Sequence, residues 1–483
     1  MKRTVSLLVL LLGLAMVCTA NQHPESSQLP IGAGCTAVYA TDGEIALGGN
    51  NKDSAKPFTR IWFVPGEDGD YGRVYVGYED FFKQGGLNDQ GLFFDGLAVL
   101  KSVDVPKGDK QRGGLGLIDR IMRDCATVDC VINYFDTYHL RDTWRHQYMF
   151  GDASGNAAII EPLTAIRMEG NYQVVTNFYQ SESMPESYND RRYQTATEML
   201  ETAEEVSVES VRDVMDAVHQ AQSSPTLYTT IYDLKQQLVY LHYFHDYDNV
   251  RVFDLGEELA RGPHGYEMVS LFPQNSSAER WKRPIITSYE SFVESNMDTS
   301  VSTENYDAYE GTYLLPHDED EGLFEPETVS VVSDDYKLWL VFLPVGIQFE
   351  FLPRSDGSFF HVEFLANLSE PHRVLCDLTF NVDPNGEVTQ LNIDYGEVML
   401  NCEKQSDEVL PGFVPILPVE RPESEAEEAE PDEPAIPGTG SDPAQASTDD
   451  GLPPNILWIV GIAGGLILLG GAGLYFGLRA RRN

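Results

Sequence analysis

The sequence predicts an α+β protein with a second, all-β domain behind it, and three observations carry that prediction. Between Cys35 and about Gly262, two helical blocks are set among strand-like runs, a pattern that suggests helices covering antiparallel sheets. From about Tyr306 to Cys402, short apolar runs follow one another with turn residues between them, which suggests a small sandwich or barrel. Composition then changes sharply at both ends. With 483 residues, 42% of them hydrophobic, the chain can fill the cores of two or three domains.

The ends read as targeting and anchoring segments. Lys2 and Arg3 precede an apolar run from Val5 to Val17 and the small residues Thr19 and Ala20, the layout of a secretory signal peptide over residues 1–20. Residues 21–34, polar and Pro-containing, read as a short propeptide. Residues 404–455 read as an acidic, Pro- and Glu-rich stalk: between 411 and 450, 11 acidic residues stand against the single Arg421. Such a segment cannot bury enough apolar surface to offset its ordering entropy. Ile456 to Leu478 gives 23 residues without a charge, enough to cross a hydrocarbon core of about 30 Å as one transmembrane helix. Arg479, Arg481 and Arg482 in the 479–483 tail then put the C-terminus on the cytoplasmic side. The expected location is a cell membrane crossed once, with the folded domains outside. A net charge of −43 argues against nucleic acid as a partner, since phosphates need clustered Lys and Arg.

The first domain opens with a hairpin. Asp42-Gly43 separates two runs rich in apolar and β-branched residues, and a two-residue turn there pairs Thr41 with Glu44. Counting outward, Cys35 faces Asn50, with the carboxylate of Asp53 just beyond. Strands are predicted at Arg60–Val64, Arg73–Val76 and within Gly85–Ala98. Helices follow over Leu115–Cys125 and Thr127–Tyr138, the latter with Val128, Val131, Ile132 and Phe135 on one face. Strands resume at Gln147–Phe150, Ala157–Glu161 and Tyr172–Asn177. A second helical block spans Arg191–Gln220, before strands at Ile231–Asp233 and Leu238–Phe244. Residues 263–305 read as a connector, and residues 306–403 as the β domain, with strands near 329–332, 338–342, 347–352, 359–365, 376–382 and 388–393.

Six cysteines in an exported chain raise the question of disulfides. Cys18 leaves with the signal peptide. Cys125 with Cys130, and Cys376 with Cys402, are candidate pairs whose bridging the spacing leaves open. Cys35 has no obvious partner. A thiolate is a strong nucleophile, and a free α-amine, with a pKa of about 7.7–8.0, can take its proton at neutral pH. If the chain is cut between Gly34 and Cys35, one residue supplies both groups and no histidine or cofactor is required. For an isolated cysteine, burial in a strand is the commoner explanation.

The residues around and beyond Cys35 change that balance. Cys35-Thr36 and, one hairpin later, Gly49-Asn50-Asn51-Lys52-Asp53 resemble the opening of the choloylglycine hydrolase and penicillin V acylase family, related to the acyl-coenzyme A:6-aminopenicillanic acid acyltransferases. These are N-terminal-nucleophile (Ntn) hydrolases that cleave linear amides. Gly86-Leu87-Asn88-Asp89-Gln90-Gly91-Leu92, Gly96-Leu97-Ala98, Asp152 to Glu161 and Thr176-Asn177 are similar to further family segments, so the likeness spans Cys35 to Gly262. Asn50 stands where the bile-acid enzymes have arginine, and Ala98 where they have an oxyanion-binding asparagine. The opening of the β domain, Tyr309-Glu310-Gly311-Thr312-Tyr313, resembles the start of a lipocalin-like β domain.

The resemblance implies a four-layer αββα sandwich over 35–262. It implies Cys35 as nucleophile, Asp53 holding its α-amine, Asn177 donating to the oxyanion and Arg192 ordering the site. Asn50, Asn51, Ala98 and Arg191 are supporting candidates, a backbone N–H at Ala98 replacing the missing amide. The expected activity is hydrolysis of a linear, non-peptide amide through an acyl-thioester, after autocatalytic cleavage before Cys35. The partners implied are a small-molecule amide and the membrane, with neither metal nor cofactor. An acyltransferase using the same thioester, and a non-catalytic surface receptor of the same shape, are the alternatives. His242 and His245 lie three apart in a strand pattern, on opposite faces, and are expected to be strand aromatics.

Overall fold

The computed structural model describes residues 34–182, 190–221, 224–298, 300–301, 306–316, 326–364, 372–396 and 398–419. The expected signal peptide, most of the propeptide and stalk, and the membrane span lie outside them; among the described residues no helix is long and apolar enough to cross a membrane.

The first domain is built on strands β1 (Thr36–Thr41), β2 (Ala46–Asp53), β3 (Thr59–Val64), β4 (Arg73–Tyr78), β5 (Lys83–Asn88), β6 (Leu92–Asp104), β7 (Thr143–Asp152), β8 (Ala157–Glu161), β9 (Thr164–Arg167), β10 (Tyr172–Val175), β11 (Thr226–Asp233), β12 (Leu238–Tyr243), β13 (Asp246–Asp254) and β14 (His264–Glu267). They form two antiparallel sheets, a six-stranded one ordered β10-β1-β2-β11-β12-β13 and an eight-stranded one ordered β9-β8-β7-β6-β5-β4-β3-β14.

Strand alternation sets the layers. On β1, Ala37 and Tyr39 face the second sheet and pack with Phe93, Met149, Ile159 and Tyr232. Val38 and Ala40 face the other way, onto α3 (Arg191–Thr202) and α4 (Val208–Ala217), through Ala196, Leu200, Val211 and Met215. On the outer face of the eight-stranded sheet, Tyr75, Phe94 and Phe150 meet α1 (Leu117–Asp124) and α2 (Val128–Thr137). The result is the αββα layering that the resemblance implies. The second helical block is two helices, because Ser207 caps a new start by accepting from the Ser210 N–H. Cys125 and Cys130 are bridged, whereas Cys376 and Cys402 are free and buried.

Three expectations are corrected. The hairpin loop has four residues: the Asp42 carboxylate accepts from the N–H of Glu44 and Ile45, both at 2.9 Å, and the ladder begins at Thr41 opposite Ala46. Asn50 therefore faces Ala37, the ladder ends at Thr36–Asn51, and extending its register by one step sets Cys35 toward Lys52 instead of Asn50. The 263–305 connector contains structure, since β14 closes one edge of the eight-stranded sheet and α6 (Ser276–Asn296) packs beyond it; the short helix α5 (Leu255–Leu259) precedes both. Residues 404–419 are not stalk. They complete the last barrel strand and then run back along β14, where Gly265 donates to the Pro415 carbonyl and Leu417 to the Gly265 carbonyl, each at 2.8 Å. Their apolar residues Val414 and Leu417 pack into the two clusters of the first domain.

The second domain settles the sandwich-or-barrel alternative. Strands β15 (Gly311–Leu314), β16 (Thr328–Asp334), β17 (Lys337–Leu343), β18 (Ile347–Pro353), β19 (Phe359–Phe364), β20 (His372–Val382), β21 (Val388–Asp394) and β22 (Met399–Ser406) form a closed barrel in sequence order. Its interior is filled by Tyr313, Val331, Leu340, Phe351, Leu378 and Leu391.

Candidate active site

Cys35 immediately precedes β1 and is buried in the cluster between the two sheets. The residue is 7% exposed, and its sulfur lies 3.9 Å from the Asp53 carbonyl oxygen. Burial pushes the thiol above its ordinary range, while the Lys52 ammonium pulls it back down.

The Gly34–Cys35 peptide is gripped from one side. Arg192, on the first turn of α3, donates to the carbonyl oxygen of Gly34, to that of Cys35 at 2.6 Å and to Thr36 Oγ1 at 3.3 Å. Its other terminal nitrogen reaches Asn177 Oδ1 at 3.1 Å and Asp190 Oδ2 at 3.2 Å. Asp190 also caps α3, accepting from the Arg192 N–H at 3.0 Å, so one carboxylate sets both the helix start and the direction of the guanidinium. Asn177 is held by its neighbours, since Gln147 donates to the carbonyls of Thr176 and Phe178. Its amide donates to the Ala98 carbonyl at 2.7 Å. Gly34 has φ +140°, and a Cβ there would come 2.1 Å from Asn177 Oδ1. Only glycine fits before Cys35 in this arrangement.

Asp53 is 6% exposed. Its Oδ1 accepts from Thr226 Oγ1 at 2.5 Å, whereas its Oδ2 is buried and, among the described residues, has no hydrogen-bond partner. Burial raises its pKa from 3.8 to about 7, against the opposing pull of Arg192 and the Thr226 hydroxyl.

The supporting candidates divide by strand face. Asn50 points between the sheets, donating to Asp95 and accepting from the Thr230 N–H at 3.3 Å. Asn51 points the other way and ties β2 to α4, donating to the Met215 carbonyl at 2.8 Å and accepting from Thr229 Oγ1 at 2.6 Å; it supports the strand and lies off the thiol's face. Arg191 is exposed at the helix start. Ala98 contributes its carbonyl to Asn177 and no side-chain donor.

The sequence pattern did not single out Lys52, Asp95, Asp190 or Thr226. Asp190 carried a signal, an acidic residue just before a helix start. Asp95 lay in the apolar run Phe93-Phe94-Asp95-Gly96-Leu97, where a buried carboxylate needs a partner. His242 is a strand residue whose Nδ1 faces the Asn249 carbonyl at 3.0 Å. Among the described residues, no group of three or more His, Cys, Asp or Glu is placed to hold a metal ion. Chemically, the site combines a thiol, a buried carboxylate oxygen without a donor among the described residues, and a backbone carbonyl bonded by a guanidinium.

No protein-family model matches the chain, and no curated protein matches it. Solved structures do. Two variants of the conjugated bile acid hydrolase from Clostridium perfringens are each 14% identical, with a TM-score of 0.40, over 48% of this chain and 96% and 97% of theirs. The penicillin V acylase from Agrobacterium tumefaciens is 16% identical, with a TM-score of 0.34, over 49% of this chain and 87% of its own.

Proposed function

We propose that this chain is the precursor of a cell-surface amide hydrolase of the N-terminal-nucleophile type, with Cys35 as its nucleophile. The observation that carries the reading is the pairing of a gripped Gly34 carbonyl with an unsatisfied Asp53 oxygen. A buried acceptor left without a donor costs about 1–3 kcal/mol, and cleavage before Cys35 creates an α-ammonium at that end of the hairpin to satisfy it.

Maturation uses the same groups. The Cys35 sulfur attacks the Gly34 carbonyl carbon while Arg192 stabilises the charge growing on the carbonyl oxygen. The C–N bond breaks, the Cys35 nitrogen takes the thiol's proton, and a thioester to Gly34 remains. Water hydrolyses it, leaving a carboxylate on Gly34 and the thiol and α-amine of Cys35. In turnover the α-amine takes the thiol's proton, the thiolate attacks a linear amide of the N-acyl amine or N-acyl amino acid class, the amine leaves protonated, and water releases the acid. Asp53 holds the α-amine; Asn177, its amide turned from the Ala98 carbonyl, donates to the oxyanion. The signal-peptide pattern over 1–20 and the apolar run 456–478 support a location outside a membrane, with residues beyond 419 as the stalk.

The test is the mass of the mature N-terminus. Wild-type protein should begin at Cys35 and hydrolyse at least one member of a panel of chromogenic N-acyl amides; Cys35→Ala should keep its leader and be inactive. Active wild-type protein still carrying Gly34 would sink the mechanism. Ala98 and Asn50, which bring neither an amide nor a cation where the resemblance has them, favour the receptor reading. A cleaved protein silent across the panel supports that reading, and turnover that appears only with an added amine acceptor supports an acyltransferase.

A further inference from the structure

The space beneath Cys35 holds a charge pair that the maturation and turnover steps do not use. Lys52 and Asp95 are 1% and 0% exposed and lie 3.3 Å apart. Lys52 also donates to the Gly96 carbonyl at 2.9 Å, and Asp95 also accepts from Asn50. Around them the inner faces of the two sheets are aromatic and aliphatic: Tyr39, Phe93, Tyr228 and Tyr232. Taking two ions out of water costs several kcal/mol each, and well-packed apolar side chains of the same volume commonly do as well or better. Stability does not explain the pair.

Its position does. The β1–β2 register runs from Thr41 opposite Ala46 to Thr36 opposite Asn51, where the ladder ends; one further step in the same register sets Cys35 toward Lys52, whose charge acts on the thiol. Directly opposed residues share a face, with Cβ atoms about 5 Å apart. Asp95 approaches from β6 on the opposing sheet, bonded to both Lys52 and Asn50. Lys52 is therefore anchored from behind, by a carboxylate and a carbonyl, on the same strand face as the sulfur.

We propose that Lys52 is the counter-cation of the Cys35 sulfur, a positioning residue that stabilises the thiolate, with Asp95 and Gly96 fixing its ammonium in place. The proposal rests on Cys35 being the nucleophile and adds the group that holds its charge in a space from which water is excluded. Other titratable or charged groups face the sulfur from every side: Asp53 on β2, Tyr78 on β4, Tyr228 on β11, and Arg192 on α3 through the Cys35 carbonyl. Among Lys52, Asp53 and Asp95, the lysine acts most strongly on the thiol, and in the opposite direction to the two carboxylates. The two members of the pair thus have opposite signatures.

The experiment titrates the Cys35 thiolate by its far-ultraviolet absorbance, taken as the difference between the full-length protein and its Cys35→Ser variant. The rate of carbamidomethylation of Cys35 by iodoacetamide against pH is a second reading. Lys52→Met should move the midpoint up by about one unit or more, the effect of losing an opposite charge at close range. Asp95→Asn should move it down, and Lys52→Arg should leave it near wild type. Circular dichroism checks folding. Because a lone buried charge can unfold a protein, the paired Lys52→Met, Asp95→Asn variant removes both charges together, and its midpoint should rise by less than that of Lys52→Met alone. Midpoints that coincide with wild type in the folded variants overturn the proposal. The titration needs only the thiol, so it separates this role from the function above. An uncut or inactive protein with shifted midpoints leaves Lys52 in its role, and a cut, active one with unshifted midpoints removes it.

Discussion

Asp53 links residue chemistry to stability. A carboxyl whose folded pKa lies at about 7 rather than 3.8 binds its proton more tightly folded than unfolded. Below about pH 4 both states are protonated and nothing is lost. Between about pH 4 and 7 the unfolded chain ionises first, so folding loses stability as pH rises, and the loss levels off above about 7. At 1.36 kcal/mol per unit, the full effect is on the order of 4 kcal/mol. Cys35→Ala keeps the Gly34 peptide and so keeps Oδ2 without a donor. Adding Asp53→Asn to it should leave stability unchanged near pH 4 and raise it progressively toward pH 7, as measured by urea denaturation at each pH. A difference that does not grow with pH contradicts the buried, partnerless carboxylate. Arg192 shows the same economy at this scale: one guanidinium reaches Gly34, Cys35, Thr36, Asn177 and Asp190.

At the scale of elements, the opening hairpin decides what sits beside what. Asp42 and Thr41 close the four-residue loop, with Thr41 Oγ1 donating to the Ile45 carbonyl at 2.5 Å and accepting from the Gly43 N–H at 3.1 Å. That loop sets Cys35 toward Lys52 instead of Asn50. The close approach of layers is carried by two glycines of β2. A Cβ on Gly48 would meet the Phe93 ring at 2.7 Å, and one on Gly49 would meet Val211 of α4 at 2.8 Å. Gly49→Val should push α4 off the sheet and cost about 1–3 kcal/mol, the range for overpacking a filled core. The denaturation midpoint should fall accordingly, and an unchanged midpoint would show that α4 is free to move.

On the scale of the whole molecule, the barrel is docked to the first domain. Trp339 of β17 is 5% exposed and joins the cluster of Trp62, Tyr75 and Phe81 from the first domain and Val414 from the returning segment. The Arg60 guanidinium lies 5.6 Å from the centroid of the Trp339 ring and 4.9 Å from that of Phe81, and is bonded to Glu267 at 2.6 Å. Lys83 reaches across to the Val345 carbonyl, and Gln348 donates to the Asp80 carbonyl at 3.2 Å. The two domains should therefore unfold together. Trp339→Ala, at about 3–5 kcal/mol for a buried tryptophan, should lower one common calorimetric transition. Two transitions in the wild-type protein, with only the barrel's displaced by Trp339→Ala, would show that they fold separately.

Much of this was legible along the chain. Strand and helix positions followed from periodicity, because a side chain's face depends on its own neighbours in sequence. Cys35, Asp53, Asn177 and Arg192 were marked by motif order, and the structure brings all four to one end of the hairpin. The rest depended on contacts that sequence does not encode locally. A four-residue loop in place of a two-residue one changed every cross-strand partner that β1 finds on β2. Asn51 and Arg191 were motif neighbours that tertiary packing turned to other faces. The Lys52–Asp95 pair, 43 residues apart in the chain, exists only because two sheets stack face to face, and burial is what brings a lysine and an aspartate that would be unremarked on a surface to bear on the Cys35 thiol.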